Sequence, residues 1–194
     1  DELLRKRAGA ENLHDRRAAF GAAYETLRDK RSRRDRLPGS IGSFESRDVL
    51  NAAAIEINGS IYILYRAMDA VNTSTIGLAI SKDGLTIDER LAEPIYTPRA
   101  DFEMKRGSPT GNSGCEDPRI VRIDDRLHMT YTAYDGVHSP AGAITSISVD
   151  DFIARRFDAW STPFILTPEN VDDKDLTLLP EKMGDNYMLY HRVN

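Results

Sequence analysis

The stretch SGCEDPRIVRIDDRLHMTYTAYDG, residues 113–136, indicates the fold class. Two strand-like runs, IVRI and LHMTYTAY, flank the polar pair Asp124–Asp125, which predicts a β-hairpin with a tight turn. The acidic pair Glu116–Asp117 precedes the first run and is followed closely by Arg119. The hairpin therefore places two carboxylates and a guanidinium at the end away from its turn.

Two other segments repeat this pattern: IEINGSIYILYRA (55–67) and PEKMGDNYMLYHRV (180–193). We predict that Tyr65, Tyr131 and Tyr190 correspond, at intervals of about 60 residues. A repeat of this length with about four short strands is typical of a propeller blade, and propellers have roughly four to eight blades. The sequence therefore predicts an all-β protein with about two and a half to three blades of a β-propeller.

Two segments complete the first two blades in this interpretation. GLAISKDGLTI (77–87) and TSISVDDF (145–152) are predicted to be their outer strands. A blade cannot bury both faces alone, so each must stack on its neighbours. We expect almost no helix after residue 40.

The N-terminal segment differs from the rest in composition. Residues 1–37 contain no proline and are rich in the helix formers Ala, Leu, Arg and Glu. We predict a helical extension over residues 1–38 and propeller blades over 39–194, the propeller being truncated. The basic run KRSRRDR (30–36) is interpreted as a solvated helix end, or as a contact to phosphate or a partner.

Composition excludes several classes of protein. The net charge of −5 argues against a general nucleic-acid binder. No apolar run approaches the roughly 20 residues that cross a membrane.

Cys115 is the single cysteine, so no internal disulfide forms. We expect Cys115 to be a packed residue, in a protein of the cytoplasm. The chain begins with Asp1, so we expect a cropped sequence.

The ends of innermost propeller strands converge on a central funnel, so the repeat nominates polar residues that could meet there. They are Asn51 and Arg66 in the first hairpin, Glu116, Asp117, Arg119, Tyr134 and Asp135 in the second, and Lys174, Asp175, Glu181, Lys182, His191 and Arg192 in the third. In this set the acidic pair Glu116–Asp117 faces several cations.

Such a set favours transfer of a sugar to an anionic acceptor. A carboxylic acid can protonate the leaving glycosidic oxygen. An inverting hydrolase needs a second carboxylate roughly 6.5–9.5 Å away to activate water. Phosphate needs no such base but needs a cradle of Arg and Lys. The pattern therefore predicts phosphorolysis rather than hydrolysis. The spacing of the His, Cys and Asp residues resembles no metal site.

Structural roles remain open for the same residues. Asp117 precedes a proline and could simply open a turn. Arg66 and Arg192 could be ordinary ion-pair partners, and Lys174 lies in the charged run DDKD, a pattern typical of a solvated loop. The histidines His14, His128 and His138 are predicted to be structural or exposed.

Three blocks, NAAAI…YILYRA, GCEDPRI…MTYTAYDG and DKDLTLLPEKM…MLYHR, resemble glycoside hydrolase family 130, the β-mannoside phosphorylases and related mannosidases. The resemblance covers roughly residues 40–194 and implies a five-bladed β-propeller. It implies that Asp117 is the general acid, acting through the 3-hydroxyl of the mannosyl unit, and that Asn51 and Arg66 contact sugar or phosphate. Arg192 matches a phosphate-binding arginine, and Lys174 stands where the phosphorylases usually have another.

From the residues and the resemblance together we assign substrate binding to Asn51, Arg66, Glu116, Tyr134 and Asp135. The resemblance also implies that N-terminal helices pack between subunits of a homo-oligomer.

The sequence therefore predicts a cytoplasmic, inverting β-mannoside phosphorylase. Its substrates would be β-1,4-mannosides and inorganic phosphate, its product α-mannose 1-phosphate, and it would need no metal or organic cofactor. The alternatives are an inverting β-mannosidase of the same family and a non-catalytic sugar-binding propeller or inactive fragment.

Overall fold

The computed structural model describes residues 44–193. The predicted helical segment 1–38, with its basic run and His14, lies outside these residues. Ten strands make up most of the described part: β1 (Asp48–Ile57), β2 (Ser60–Met68), β3 (Thr73–Ser81), β4 (Glu89–Arg90), β5 (Ser113–Ile123), β6 (Arg126–Tyr134), β7 (Ala141–Ser148), β8 (Phe164–Ile165), β9 (Asp173–Met183) and β10 (Asn186–Val193). The helices are α1 (Val149–Ile153) and a 3₁₀ turn at Phe157–Ala159.

The strands form two four-stranded units and a hairpin. Strands β1–β4 pair in sequence as an antiparallel unit, and β5–β8 form a second one in the same way. Strands β9 and β10 form a separate antiparallel pair. Strand β5 contacts both β1 and β9, so the first strands of the three units lie side by side. This arrangement fits the predicted blades, and closure into a five-bladed ring stays a prediction.

The predicted hairpin turns are confirmed. Asn58–Gly59 joins β1 to β2, Asp124–Asp125 joins β5 to β6, and Gly184–Asp185 joins β9 to β10. Asn58 and Asp124 have φ values of 51° and 55°, the left-handed conformation that such turns require.

The sequence of strand β2 is an almost continuous apolar run because both of its faces are buried in the core. Its odd-numbered residues Ile63, Tyr65 and Ala67 are buried on one face, in a cluster with Val49. Leu64, on the opposite face, joins a larger cluster that includes Met129 of β6 and therefore packs the first unit on the second. Both faces of β2 are covered, so apolar side chains occupy successive positions.

The third hairpin has few such neighbours. Its large apolar side chains Met183, Tyr190 and Val193 are more than half exposed, at 62%, 65% and 56%. Within residues 44–193 no later strand packs on them. No helix of that part of the chain has the length and apolar character that a membrane crossing requires.

The three first strands share a β-bulge at the same place. In each, two residues lie opposite one on the partner strand, between Leu50 and Ala53 in β1 and between Glu116 and Arg119 in β5. In β9 the irregularity falls between Lys174 and Thr177. The first bulged residues are Asn51, Asp117 and Asp175, with φ values of 42°, 51° and 56°. Asn and Asp tolerate this left-handed conformation better than most residues, which favours them at such bulges.

The register corrects the predicted tyrosine repeat. Arg192 pairs with Lys174 as Arg66 pairs with Leu50, so His191, not Tyr190, occupies the position of Tyr65. Tyr190 is exposed because few side chains pack on the third hairpin, where the side chain of His191 is 45% exposed as well.

The segment Val149–Phe152, predicted as part of an outer strand, is instead the start of helix α1. The hydroxyl of Ser148 accepts a hydrogen bond from the backbone N–H of Asp151 and so caps the helix. Asp150 and Asp151 lie in the first turn, where the helix dipole stabilises negative charge. The five-residue helix agrees with the expectation of almost no helix after residue 40.

A glycine permits close backbone contact between the two four-stranded units. Strand β5 pairs in parallel with β3 at two positions, Thr73 opposite Ser113 and Ser74 opposite Gly114. Gly114 has φ = 104°, and a Cβ atom there would overlap the backbone of Ser74. Only glycine permits this approach, which brings the first residues of β3 beside the acidic pair of β5.

We predict that Gly114→Ala destabilises the fold by about 2–4 kcal/mol, because it adds overpacking to left-handed strain. Gly59→Ala is the matched control, since Gly59 also has a positive φ, 78°, but has open space around its Cβ position. We expect the control to cost only about 1 kcal/mol. Urea unfolding of both variants measures the difference, and equal losses would contradict the close-approach argument.

Candidate active site

The guanidinium group of Arg66 connects the first unit to the acidic pair of the second. Its Nη2 donates to Oε1 of Glu116 at 2.7 Å, and its Nη1 lies 3.4 Å from Oδ1 of Asp117. Its Nε donates to the buried hydroxyl of Ser74 at 3.0 Å. The Arg66 residue is 8% exposed, so both ion pairs lie largely out of water.

Burial dominates the electrostatics of Glu116. The pKa of the carboxyl group is raised to about 7, chiefly by burial and in smaller part by the charge of Asp117. The positive charges of Arg66 and Lys174 act in the opposite direction. Glu116 can therefore carry a proton near neutral pH, beside the carboxylate predicted to be the general acid.

A second group of charges surrounds Asp175, the bulge residue of β9. Its Oδ1 lies 3.4 Å from Nη2 of Arg119, and its Oδ2 lies 3.4 Å from Nη2 of Arg192. Arg119 also donates through Nη1 to the backbone oxygens of Asp117 at 3.3 Å and Pro118 at 2.9 Å. One polar network thus runs from Arg66 through the bulge of β5 to Arg192.

The ion pairs at this end of the network are more exposed. The side chains of Arg119 and Asp175 are about one-third exposed, and that of Arg192 is 58% exposed. Lys174 lies 3.5 Å from Asp172 and is also about one-third exposed. Exposed pairs contribute only about 0–1 kcal/mol, so a bound anion can replace their carboxylates at low cost.

The other predicted site residues lie around this network. Asn51 is exposed at the bulge of β1, the counterpart of Asp117. Tyr134 is half-buried at the end of β6. Asp135 is buried, and its carboxylate accepts hydrogen bonds from the backbone N–H groups of Val137 and His138. That carboxylate also lies 2.7 Å from Nδ1 of His138, so it orders its own loop.

The structure thus joins Arg66, Glu116 and Asp117 directly and connects Arg192 through Asp175. Lys174 lies close enough to influence the charge of Glu116. No contact in the described residues joins Asp135 to Arg66, and its predicted role in substrate binding stays a prediction.

Arg119 and Asp175 were nominated from the repeat for the funnel but were given no role in the site, and Ser74 was not nominated. Ser74 left no sequence signal, because its role depends on the parallel contact between β3 and β5. In residues 44–193 no three His, Cys, Asp or Glu side chains are grouped as a metal site requires.

The family model described as β-1,4-mannooligosaccharide phosphorylase, glycoside hydrolase family 130, matches residues 23–194. The chain belongs to this family. The resemblance seen in the sequence is therefore confirmed.

Two relatives and one solved structure illustrate the match. A 1,2-β-oligomannan phosphorylase of Thermoanaerobacter sp. (strain X514) is 30% identical over 163 residues, which are 80% of this chain and 50% of the relative. A β-1,2-mannobiose phosphorylase of the same strain is 31% identical over 162 residues, 77% of this chain and 48% of the relative. The chain spans about half the length of these curated relatives.

The solved structure belongs to a study of family 130 hydrolases that target β-1,2 mannosidic linkages in Candida mannan. It is 28% identical to this chain, with a TM-score of 0.60 over 76% of this chain and 44% of the other. The fold of the described strands therefore recurs within the family.

We predict that Glu116→Gln changes how stability depends on pH. The folded pKa of Glu116 is about 7, against an ordinary value of 4.5, so the folded state binds more protons between these values. The wild type should therefore lose stability relative to the variant as pH rises from about 4.5 through about 7, by about 1 kcal/mol or more. Urea unfolding across this range measures the effect.

The exposed Glu181 provides the control for this experiment. Glu181→Gln should leave the pH profile of stability parallel to that of the wild type. A Glu116→Gln profile that is also parallel would show that the carboxyl group does not titrate in this window.

Proposed function

We propose that this chain is part of an inverting β-mannoside phosphorylase. The observation that supports the proposal is the continuous polar network: the Asp117 carboxylate beside Arg66, and Arg119 and Arg192 gathered around Asp175. Family membership supports an enzyme that acts on mannosides with phosphate.

In the proposed reaction the carboxyl group of Asp117 donates a proton, relayed by the 3-hydroxyl of the mannosyl unit, to the glycosidic oxygen as the bond to the anomeric carbon breaks. An oxygen of phosphate attacks that carbon from the opposite face, so the configuration inverts. The products are α-mannose 1-phosphate and a sugar with a free hydroxyl. The proton released by hydrogen phosphate balances the proton that Asp117 donates.

The cations have two separate tasks in this proposal. Arg66 is buried and fixed by three partners, so it keeps the carboxyl groups of Glu116 and Asp117 in position. Arg119, Arg192 and Lys174 are more exposed and hold phosphate, whose oxygens match the planar fork of arginine. Phosphate would displace the weak ion pairs to Asp175 and Asp172.

The comparisons point to two different positions for the glycosidic linkage of the substrate. The family description names β-1,4-mannooligosaccharides, whereas both relatives are named for β-1,2 linkages. The β-1,4 linkage therefore stays a prediction. Parallel assays with β-1,4- and β-1,2-linked mannobiose and phosphate, read by release of mannose 1-phosphate, identify the linkage that is cleaved.

Hydrolysis is the second candidate function, and Asp175 is the observation that favours it. The carboxylate of Asp175, at the third bulge, lies between Arg119 and Arg192 and could serve as a base for water. Release of free mannose without phosphate would support the β-mannosidase. Binding of mannosides with no turnover by the full-length protein would support a non-catalytic propeller.

We predict that Asp117→Asn lowers kcat of the full-length enzyme by about 10²- to 10⁴-fold, because the amide cannot donate a proton to the leaving oxygen. Asp125→Asn is the control, since Asp125 is exposed at the turn end of the same hairpin. Mannose 1-phosphate release measures both variants. An unchanged rate in Asp117→Asn would remove this residue from the mechanism.

We predict that Arg192→Ala raises KM for phosphate by about tenfold or more, since a charge-assisted contact is lost, with a smaller effect on KM for the mannoside. Arg122→Ala, an exposed arginine near the turn end of β5, should leave both constants unchanged. Initial rates at varied phosphate concentration measure the effect. Equal changes in the two KM values would argue against a phosphate-binding role.

A further inference from the structure

The side-chain ammonium group of Lys105 lies among three backbone carbonyl oxygens. Its Nζ donates to the oxygen of Gly111 at 2.8 Å, to that of Pro109 at 3.2 Å, and to that of Val71. An ammonium group has three N–H donors and no acceptor, so three carbonyl oxygens can satisfy it fully. We call the oxygens of Val71, Pro109 and Gly111 the carbonyl cage.

The carbonyl cage spans the boundary between the first two units. Val71 lies in the turn between β2 and β3 of the first unit. Pro109 and Gly111 lie in the segment that leads into β5 of the second unit, as does Lys105 itself. Lys105 is half-buried, so water competes only partly for its ammonium group. The ammonium group therefore ties a turn of one unit to the entry of the other.

A buried asparagine beside the cage ties the same two segments. Asn72 is 8% exposed, and its side-chain amide donates to the backbone oxygen of Thr110 at 2.6 Å. Its side-chain oxygen accepts a hydrogen bond from Arg47. Its backbone oxygen accepts from the N–H of Ser113, the first residue of β5, at 3.1 Å. The contacts of Lys105 and Asn72 thus lie next to each other at this boundary.

The acid pair follows directly after these contacts. Beyond Ser113 comes Gly114, whose backbone approaches that of Ser74 at the start of β3. The hydroxyl of Ser74 accepts from Arg66, which in turn binds the carboxylates of Glu116 and Asp117. The position of both carboxylates therefore depends on how the first residues of β5 lie against those of β3. A displacement of roughly 1 Å in a catalytic group can lower a rate by about 100-fold.

The ligands of the ammonium group are those that small monovalent cations prefer. Backbone carbonyl oxygens replace the hydration shell of potassium ions in protein sites. The carbonyl cage offers three such oxygens, contributed by two separate segments, to one positive charge. A free ammonium ion carries the same N–H donors as the lysine side chain and could enter the same place if that side chain were removed.

We propose that Lys105 is a positioning residue: its ammonium group takes the place of a small monovalent cation in the carbonyl cage and thereby holds the start of β5, with Glu116 and Asp117, against β3. The catalytic consequence rests on the proposed function, whereas the cage itself does not.

Chemical rescue of the full-length Lys105→Ala variant tests the cage. We expect its Tm to lie below that of the wild type by about 2–4 °C, because charge-assisted hydrogen bonds across the boundary are lost. Ammonium chloride should restore at least half of this loss. Tetramethylammonium chloride at the same ionic strength should not, since that ion has no N–H group. The wild type should not distinguish the two salts.

The rate of phosphorolysis tests the positioning role. We expect kcat of Lys105→Ala to fall by about 10- to 100-fold, because the acid pair is displaced, with smaller changes in the KM values for mannoside and phosphate. Ammonium chloride should raise kcat of this variant again, and tetramethylammonium chloride should not. A general loss of stability would not give this ion-specific recovery of kcat. Mannose 1-phosphate release measures all these rates.

Two further variants serve as controls. Lys82→Ala removes an exposed lysine that directly follows β3, so its Tm and kcat should match those of the wild type in either salt. Lys105→Met keeps a long side chain without the charge and fills the space that a free ion would need. It should lose kcat as Lys105→Ala does, but ammonium chloride should not restore it.

Each outcome decides the proposal. A Tm of Lys105→Ala that responds equally to both salts would overturn the cage, and a wild-type kcat of this variant would overturn the positioning role. If Lys105→Ala does not fold in either salt, Lys105→Met decides: its kcat must lie below that of Lys82→Met, and equal values overturn the proposal.

The two readouts also separate the cage from the reaction. Recovery of Tm by ammonium in a full-length protein that releases no mannose 1-phosphate would support the cage and overturn the proposed function. Phosphorolysis by the wild type, with no ammonium-specific response of Lys105→Ala in Tm or in kcat, would do the reverse.

Discussion

The guanidinium group of Arg66 joins β2 of the first unit to the acidic pair of β5 in the second. It is nearly buried and bonds to Ser74, Glu116 and Asp117, so it cannot turn towards solvent without leaving two carboxylates unpaired. Removing one partner of a buried charge pair costs far more than the pair itself contributes. The position of the acid pair therefore depends on the packing of one unit on the other, and Gly114 permits that packing by its close approach to Ser74.

The repeated bulge explains how distant residues reach one place. A regular strand would send alternate side chains to opposite faces, whereas a bulge places an extra residue and redirects its side chain. The left-handed residues Asn51, Asp117 and Asp175 occupy the same point of three neighbouring first strands. The same backbone feature thus presents an amide in the first unit and carboxylates in the second and third. Different residues at one repeated position are therefore enough to bring amide and carboxylate groups together in one site.

The sequence allowed prediction of the elements that depend on local chemistry. The hairpin turns followed from pairs such as Asn58–Gly59, because their conformational preference is intrinsic. Helix α1 was missed, although Ser148 followed by Asp151 is a helix-start signal, because the apolar alternation before it favoured a strand. The tyrosine repeat failed at Tyr190, since a register shift of one residue is set by tertiary pairing. The role of Ser74 could not be predicted, because it arises only where the two units meet.

Exposure separates the charges of the site into two classes. The pair of Arg66 with Glu116 lies where solvent screens little, so it is costly to break and suits a fixed scaffold. The contacts of Asp175 with Arg119 and Arg192 are one-third to more than one-half exposed, so water and ions compete with them readily. A ligand that carries two negative charges gains more from two guanidinium groups than one carboxylate does. The cations that can change partners are therefore Arg119 on β5, Lys174 on β9 and Arg192 on β10, whereas Arg66 on β2 cannot.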